Sequence, residues 1–211
     1  MFVSKNHEYL IEQLQFTGNA PATSGSLKNI RMNYNHPVKE LVWCFEGHDG
    51  CLLANLWNMT SNASADVGAD TGFYSNAARG RTANPKTNES LGVVRYYNGC
   101  YLGEVTDGPM DTFKFQLNGT DRFTQQAGKY FNQIQPYYHH TGNPVPGIYC
   151  YSFALKPENH QPTGTCNFSR IDNATAMPTL KTTTKTNMTM FATNYNVLRI
   201  ASGMGALAYA N

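Results

Sequence analysis

The chain has 211 residues and a formal net charge of +2, with 14% charged and 12% aromatic residues. So small a net charge gives no electrostatic case for direct nucleic acid binding, and the low charge content argues against charge-driven disorder. Because no apolar run reaches the roughly 20 residues that a membrane-spanning helix requires, we also expect no membrane insertion.

Period-two alternation predicts the first strands of the chain. Large apolar side chains alternate with polar ones over Leu27–Tyr34 and again over Lys39–Glu46. Pro37 separates the two stretches, because proline cannot donate a backbone hydrogen bond and restricts the residue before it. The chain therefore begins its regular structure with two strands and a break between them.

A long segment over about residues 47–110 has a different composition, rich in Asn, Ala, Gly, Ser and Thr. Its one weak strand candidate lies at Leu91–Leu102. A connection of this length in a compact domain is usually functional, disordered or folded on its own. Of the seven N-x-S/T sequons in the chain, those in this segment are the candidate glycosylation sites: Asn58, Asn62 and Asn88.

Regular patterns return after this segment. Thr112–Asn118 is the clearest amphipathic strand, with Phe113, Phe115 and Leu117 on one face. A helix is predicted over Thr124–Gln135, ending before Pro136.

The carboxyl-terminal part is again predicted to be β structure. Gly147–Leu155 places four large residues on one face and four smaller ones on the other, the large ones being Tyr149, Tyr151, Phe153 and Leu155. A proline-bounded turn leads to a short strand at Thr165–Ile171. Later strands are predicted at Asn187–Thr193, Val197–Ala201 and Ala206–Tyr209.

Strands separated by turns, with one or two short helices, indicate an all-β sandwich of two sheets. Its interior is predicted to contain Trp43, Phe115, Phe153 and Leu198. Periodicity alone does not distinguish a jelly roll from an immunoglobulin-like sandwich.

No arrangement of residues indicates catalysis, a cofactor or a metal. The five cysteines contain no C-x-x-C pair and are predicted to be free thiols. His139 and His140 are adjacent, so on a regular element they point apart, and we assign them a structural role. The glycine pattern from Gly203 has no following helix and strand to make it a dinucleotide site.

Several long stretches of the sequence resemble one family. The strongest is FALKPENHQPTGTCNFSRIDNA, and five others occur in the same order as in that family: HEYLIEQLQ, NHPVKELVW, LNGTDRF, YFNQIQPYYHHTG and ATNYNVLRIASGMGALAY. The resemblance is to the major capsid proteins of nucleocytoplasmic large DNA viruses. Chains of that family are longer and contain two successive jelly rolls, and the matching stretches belong to the second.

The resemblance implies an antiparallel jelly-roll sandwich over residues 27–211, with the segment at about 47–110 as a variable surface insertion. It also implies a structural, non-enzymatic protein of an icosahedral capsid that forms trimeric pseudo-hexagonal capsomers. Its partners would be further copies of itself, neighbouring capsomers and minor capsid proteins. Its location would be the virion shell, assembled in the host cytoplasm.

Residues 1–26 are expected to be a junction segment to a preceding jelly roll. This segment contains five large apolar residues, Tyr9, Leu10, Ile11, Leu14 and Phe16. Such a stretch is too apolar to lie free in water. We therefore expect it to be buried against the other half of the subunit or an adjacent capsomer chain.

A carbohydrate-binding jelly roll is the main alternative, because lectins share this architecture and exposed aromatic rings stack on sugars. Tyr96, Tyr97 and Tyr101 would be its best candidates for sugar contact. An enzyme of the cupin type is less well supported, because the sequence lacks the expected cluster of histidine and acidic ligands.

Overall fold

The computed structural model of the chain describes residues 5–21, 29–47, 108–142, 144, 147–181 and 185–209. Within these residues the regular structure is almost entirely β. The strands are β1 (His7–Pro21), β2 (Ile30–Met32), β3 (Pro37–Gly47), β4 (Met110–Leu117), β5 (Thr120–Ala127), β6 (Ile148–Ser152), β7 (Cys166–Asn167), β8 (Ala174–Leu180), β9 (Lys185–Ala201) and β10 (Met204–Leu207).

The strands form two antiparallel sheets. The large sheet has the order β1-β9-β3-β6, with β7 paired to β3 and β10 paired to β9, and the small sheet has the order β2-β8-β4-β5. The chain passes from one sheet to the other at most connections, so strands distant in sequence become neighbours. This interleaving is the jelly-roll arrangement, and the predicted fold is confirmed.

Aromatic side chains fill the space between the sheets. The Trp43 ring lies 4.6 Å from that of Phe113, 5.5 Å from Phe131 and 6.0 Å from Tyr149, measured between ring centroids. Trp43 and Phe115 are buried as predicted. Offset and edge-to-face aromatic packing of this kind adds stability beyond the area that it buries.

The remaining two predicted core residues lie at the margin. Phe153 is half-buried and packs against the core cluster. The prediction for Leu198 is wrong, because this residue is half-buried and lies outside the cluster. It sits near the end of β9, where its lateral neighbours are Tyr9 of β1 and Leu207 of β10. These are 46% and 43% exposed, so this end of the large sheet extends past the core.

The predicted helix at Thr124–Gln135 is misplaced. Thr120–Ala127 is instead strand β5, joined to β4 by a two-residue turn at Asn118 and Gly119, whose φ angles are 50° and 79°. Positive φ at both positions is the hairpin geometry that an Asn-Gly pair favours. A π-helical turn at Tyr130–Ile134 follows, and then helix α1 (Gln135–His139). Pro136 lies in the first turn of α1, where no intrahelical N–H is needed.

Strand limits also differ from the sequence predictions. β6 ends at Ser152, and this leaves Leu155 72% exposed rather than on a strand face. The predicted strand at Thr165–Ile171 is reduced to β7, because a 3₁₀ turn follows at Phe168–Arg170. The strands predicted on either side of residue 195 are one continuous strand, β9.

Strand β8 was missed because it contains Pro178. Proline is normally confined to strand edges, since it cannot donate to a ladder. Among the described residues, β2 pairs with Ala174–Ala176, and the ladder partner of Pro178 is Phe113 of β4. Within this part of the chain, Pro178 therefore lies beyond the end of the β2 pairing, although β8 is between β2 and β4.

The amino-terminal segment is part of the large sheet. Residues 7–21 of the predicted junction segment form β1, so the sheet begins at His7 and not at Leu27. A junction to a preceding jelly roll stays a prediction.

Most of the predicted insertion lies outside the described residues, and so do its three candidate glycosylation sites and the three tyrosines proposed for sugar contact. Among the described cysteines, Cys150 and Cys166 are free thiols.

Candidate assembly surface

Strand β1 occupies one edge of the large sheet. It pairs with β9 from His7 opposite Ile200 to Pro21 opposite Asn187. Its other edge has no strand partner among the residues that the structure describes. A long edge strand carries a row of unpaired backbone groups that can accept a further chain.

Three apolar residues of β1 lie on the outer face of the sheet, away from the core. Phe16 is opposite Phe191, which lies between the buried core residues Met190 and Ala192, and side chains alternate faces along a strand. Leu14 and Leu10 share this face with Phe16. We call these three residues the β1 row. Leu14 is 66% exposed and Phe16 51% exposed, and the Phe16 ring stacks on Phe191 at 5.0 Å between centroids.

The other two predicted contact residues lie on the opposite face of β1. Tyr9 and Ile11 are on the side of the core, and Tyr9 is opposite Leu198. The five residues thus divide between two faces, because the segment is a strand and its side chains alternate. One partner surface lying on the outer face can cover the β1 row but not Tyr9 and Ile11.

Both acidic side chains of the strand are paired on its own sheet. Glu12 forms an ion pair with Lys39, with 2.7 Å between Glu12 Oε1 and Lys39 Nζ. The lysine side chain is only 4% exposed. The Lys39 ammonium also donates to the carbonyl oxygen of Pro157 at 2.7 Å and lies 5.6 Å from the centre of the Tyr195 ring. Burial, and then the charges of Glu12 and Glu40, raise the pKa of Tyr195.

The second acid is more exposed to solvent. Glu8 binds Arg199 at 2.6 Å, with both side chains more than half exposed. Two further bonds join β1 to the connection before β3: Gln15 Nε2 donates to the Asn35 carbonyl at 2.6 Å, and the Asn35 N–H donates to Gln15 Oε1 at 2.9 Å. The edge strand is therefore fixed in place, and the β1 row is presented on a rigid support.

A second apolar surface lies at the opposite edge of the same sheet. We call it the helix patch, and it consists of Ile134, Tyr137, Tyr138 and Leu155, which are 45%, 75%, 73% and 72% exposed. The two tyrosine rings pack edge to face at 5.5 Å. Sequence reasoning missed this surface, because the helix was predicted to end at Gln135.

The helix patch rests on polar contacts at the end of α1. His139 Nδ1 lies 3.0 Å from the carbonyl oxygen of Leu155. His140 stands between two carboxylates, with Nδ1 3.3 Å from Glu158 and Nε2 3.4 Å from Glu40. The N–H of Thr141 donates to Glu158 at 3.0 Å, and this bond is the largest cause of the lowered pKa of Glu158. The two histidines thus connect α1 to its surroundings.

The helix region also covers the edge of β6. Asn132 Nδ2 donates to the Ile148 carbonyl at 2.7 Å, and the Ser152 N–H donates to Gln135 Oε1 at 3.2 Å. Side chains thereby satisfy backbone groups that a further strand would otherwise bind. The two edges of the sheet differ: the β6 edge is covered by polar side chains and presents the helix patch, whereas the outer edge of β1 pairs with no strand in the described part of the chain.

The described residues give no other candidate site. No group of three or more His, Cys, Asp or Glu among them could hold a metal ion. No helix within the same residues is both long and apolar enough to cross a membrane.

Comparison with known proteins identifies one family. Residues 1–206 match the model of the large eukaryotic DNA virus major capsid protein. The chain is 42% identical to the major capsid protein of Paramecium bursaria Chlorella virus 1, covering 100% of this chain and 50% of that protein. It is 41% identical to the major capsid protein of Phaeocystis pouchetii virus, covering 97% and 49%. The chain thus spans about half the length of these relatives.

Solved structures agree with the sequence comparison. A quasi-atomic model of the PBCV-1 virus capsid matches with a TM-score of 0.74 and 40% identity, covering 98% of this chain and 52% of the other. The Faustovirus major capsid protein matches with a TM-score of 0.57 over 92% of this chain, at 15% identity. The second likeness supports the fold alone.

Proposed function

The chain belongs to the large eukaryotic DNA virus major capsid protein family, and from this membership we propose that it is a structural protein of an icosahedral capsid. In this proposal it forms trimeric pseudo-hexagonal capsomers and contacts neighbouring capsomers and minor capsid proteins. Its place is the virion shell, assembled in the host cytoplasm. Both relatives are major capsid proteins, and the proposed capsid role is taken from them. The chain spans about half of their length, so the role of the whole protein is a proposal for this chain.

The observation that carries the proposal is the exposed β1 row, on an edge strand that has no further strand partner among the described residues. Leu14 and Phe16 are mostly exposed on a strand whose charges are paired within its own sheet. Exposed apolar residues grouped on a fixed surface are typical of interfaces between proteins. A shell protein is kept in place by contacts with its neighbours, and such contacts require exposed surfaces of this kind on its sides.

The domain arrangement proposed from the sequence is retained in part. We propose that the whole sandwich, β1 included, corresponds to the second jelly roll of the longer relatives and that the outer face of β1 contacts the first. β1 would then have two roles, closing one side of the large sheet and presenting the β1 row to the neighbouring jelly roll. The segment at about residues 47–110 would be a surface insertion on this scaffold.

Self-association and sugar binding separate the proposed function from the carbohydrate-binding alternative. Sedimentation velocity on the purified chain should show concentration-dependent association, and a glycan array should show no specific binding. A stable monomer that binds defined sugars would overturn the capsid proposal. The same two measurements on a Leu10→Asp, Leu14→Asp variant would show whether association depends on the β1 row.

A further inference from the structure

We propose that His140 is a proton-dependent clamp, which holds the loop after β6 (residues 153–165) in place when its ring is charged and releases part of that loop when the ring is neutral. His140 follows α1, Glu40 belongs to β3, and Glu158 belongs to the loop. The ring lies between the two carboxylates, with Nε2 3.4 Å from Glu40 and Nδ1 3.3 Å from Glu158. One side chain therefore joins three parts of the fold, and it does so whatever the role of the whole protein.

Two buried atoms at this junction lack an ordinary hydrogen bond. Glu40 Oε2 and His140 Nε2 are shielded from solvent and have no hydrogen-bond partner among the described residues, although they face each other. Buried polar groups are costly when they are left unpaired. A proton on Nε2 removes this cost, because the contact then becomes an ion pair between an imidazolium and a carboxylate.

Both nitrogens of the ring face carboxylate oxygens, and this arrangement favours the charged ring. A charged imidazole donates from both nitrogens, whereas a neutral imidazole has one donor and one lone pair. The neutral ring can therefore bond Glu40 or Glu158 but not both, and its lone pair then faces the remaining carboxylate. Histidine changes its charge between about pH 5 and pH 8. We expect the clamp to be closed on the acidic side of that range and open on the alkaline side.

The other ionisable groups around Glu40 have fixed roles. Lys39, its neighbour on β3, forms the ion pair with Glu12 of β1. Burial, and then the charges of Glu12 and Glu40, raise the pKa of Tyr195 on β9, so this hydroxyl stays neutral. Burial, and then the charge of Glu40, raise the pKa of Cys150 on β6 to about 12, so this thiol stays protonated. The group that switches the clamp is therefore the imidazole.

Two neighbours on the helix side respond differently from His140. His139 Nδ1 lies 3.0 Å from the Leu155 carbonyl oxygen, a bond that a neutral ring can donate. The Thr141 N–H bond is the largest cause of the lowered pKa of Glu158. A carboxylate with a lowered pKa contributes stability above its unfolded pKa, and this contribution is lost as the pH falls through the folded value. Glu158 therefore stays charged throughout the range in which histidine titrates.

Opening of the clamp frees one part of the loop. Lys39 still donates to the Pro157 carbonyl, and His139 still holds Leu155, so the first half of the loop stays in place. The residues released are 158–164, together with residues 140–142 after α1. These segments border the helix patch, so the surroundings of an exposed apolar surface change with pH while the core between the sheets is unaffected. Protonation of histidine is a known means of switching a protein surface in this way.

Hydrogen exchange of residues 158–164 tests the clamp directly. Exchange is read by mass spectrometry at about pH 5.5 and about pH 8.5, on either side of the histidine range, with times scaled for the intrinsic pH dependence of exchange. His140→Gln removes the charge permanently. Glu40→Gln supplies an amide N–H to the ring lone pair, so even the neutral ring can bond both neighbours. His160→Gln is the matched control, because His160 is exposed in the same loop. Circular dichroism and urea unfolding establish that each variant folds.

We expect residues 158–164 of the wild type and of His160→Gln to exchange at least about fivefold faster at the higher pH after scaling. They should exchange fast at both pH values in His140→Gln and slowly at both in Glu40→Gln. A wild-type loop without a pH response would overturn the inference, and so would a wild-type response retained in either His140→Gln or Glu40→Gln. Loss of the response in His160→Gln would assign it to the other histidine and overturn the inference as well. None of these outcomes depends on assembly, so the proposed function is tested separately.

Discussion

The buried lysine that ties the edge strand to the sheet gives a quantitative test of the fold. Replacing Glu12 by Ala removes the carboxylate that binds Lys39 at 2.7 Å. A hydrogen bond to a charged group contributes about 1.5–3 kcal/mol. Lys39 keeps the Pro157 carbonyl and the Tyr195 ring, and the Glu12 side chain is 33% exposed, so we take the lower end of that range.

We therefore expect Glu12→Ala to lower the free energy of unfolding by about 1.5 kcal/mol, and the melting temperature by roughly 3–6 °C for a domain of this size. Glu8→Ala is the matched control on the same strand and face. Its ion pair with Arg199 is more than half exposed on both sides, so its loss should cost under about 0.5 kcal/mol. Urea unfolding of the three proteins measures both values. Equal destabilisation by the two substitutions would refute the assignment of Lys39 as a buried link between β1, β3 and the loop after β6.

Three further predictions follow from the core and the edge strand. Replacing Leu10 and Leu14 together by Asp should abolish association by sedimentation velocity while leaving the circular dichroism spectrum and urea midpoint close to wild type; retained association would exclude the β1 row as a contact. Trp43→Ala should destabilise the fold by about 3–5 kcal/mol in urea unfolding, because the ring is fully enclosed by aromatic neighbours; a loss below about 1 kcal/mol would contradict that packing. Burial, with the charge of Glu40, raises the pKa of the Cys150 thiol to about 12, so at pH 8 native protein should resist alkylation there and urea-unfolded protein should react, as read by peptide mass spectrometry. Equal labelling rates in the two states would show that this thiol is accessible.

Strand positions could be predicted wherever one face of the strand is buried. Phe113, Phe115 and Trp43 alternate with polar residues, and the structure places them in the core. The alternation of apolar and polar residues did not predict strands in which buried and exposed residues do not alternate. The π-helical turn and α1 follow β5 directly, and the strand residues of β5 are polar enough to resemble a helix surface. The Asn118-Gly119 pair was the available signal for a hairpin at that point.

The sequence predicted where the apolar contact residues lie along the chain, but not which of them share one face of a strand. The apolar content of residues 9–16 indicated a contact surface, yet the segment was treated as a separate junction. Its pairing with β9 joins residues that are far apart in the sequence, such as Leu14 with Thr193, which are 179 positions apart, and local patterns contain no information about that pairing. The helix patch depends on Leu155 lying beside α1 through the His139 contact. That proximity arises from the tertiary fold alone.

Quantitative mass spectrometry of purified particles tests the central claim most directly. Particles of the virus that encodes the chain would be treated with a cross-linker, and the cross-linked peptides identified. The capsid account predicts that peptides of this chain are among the most abundant of the particle, with cross-links between residues near the β1 row and residues of a neighbouring shell subunit. Absence of the chain from purified particles, or its presence only in traces without such cross-links, would contradict the account.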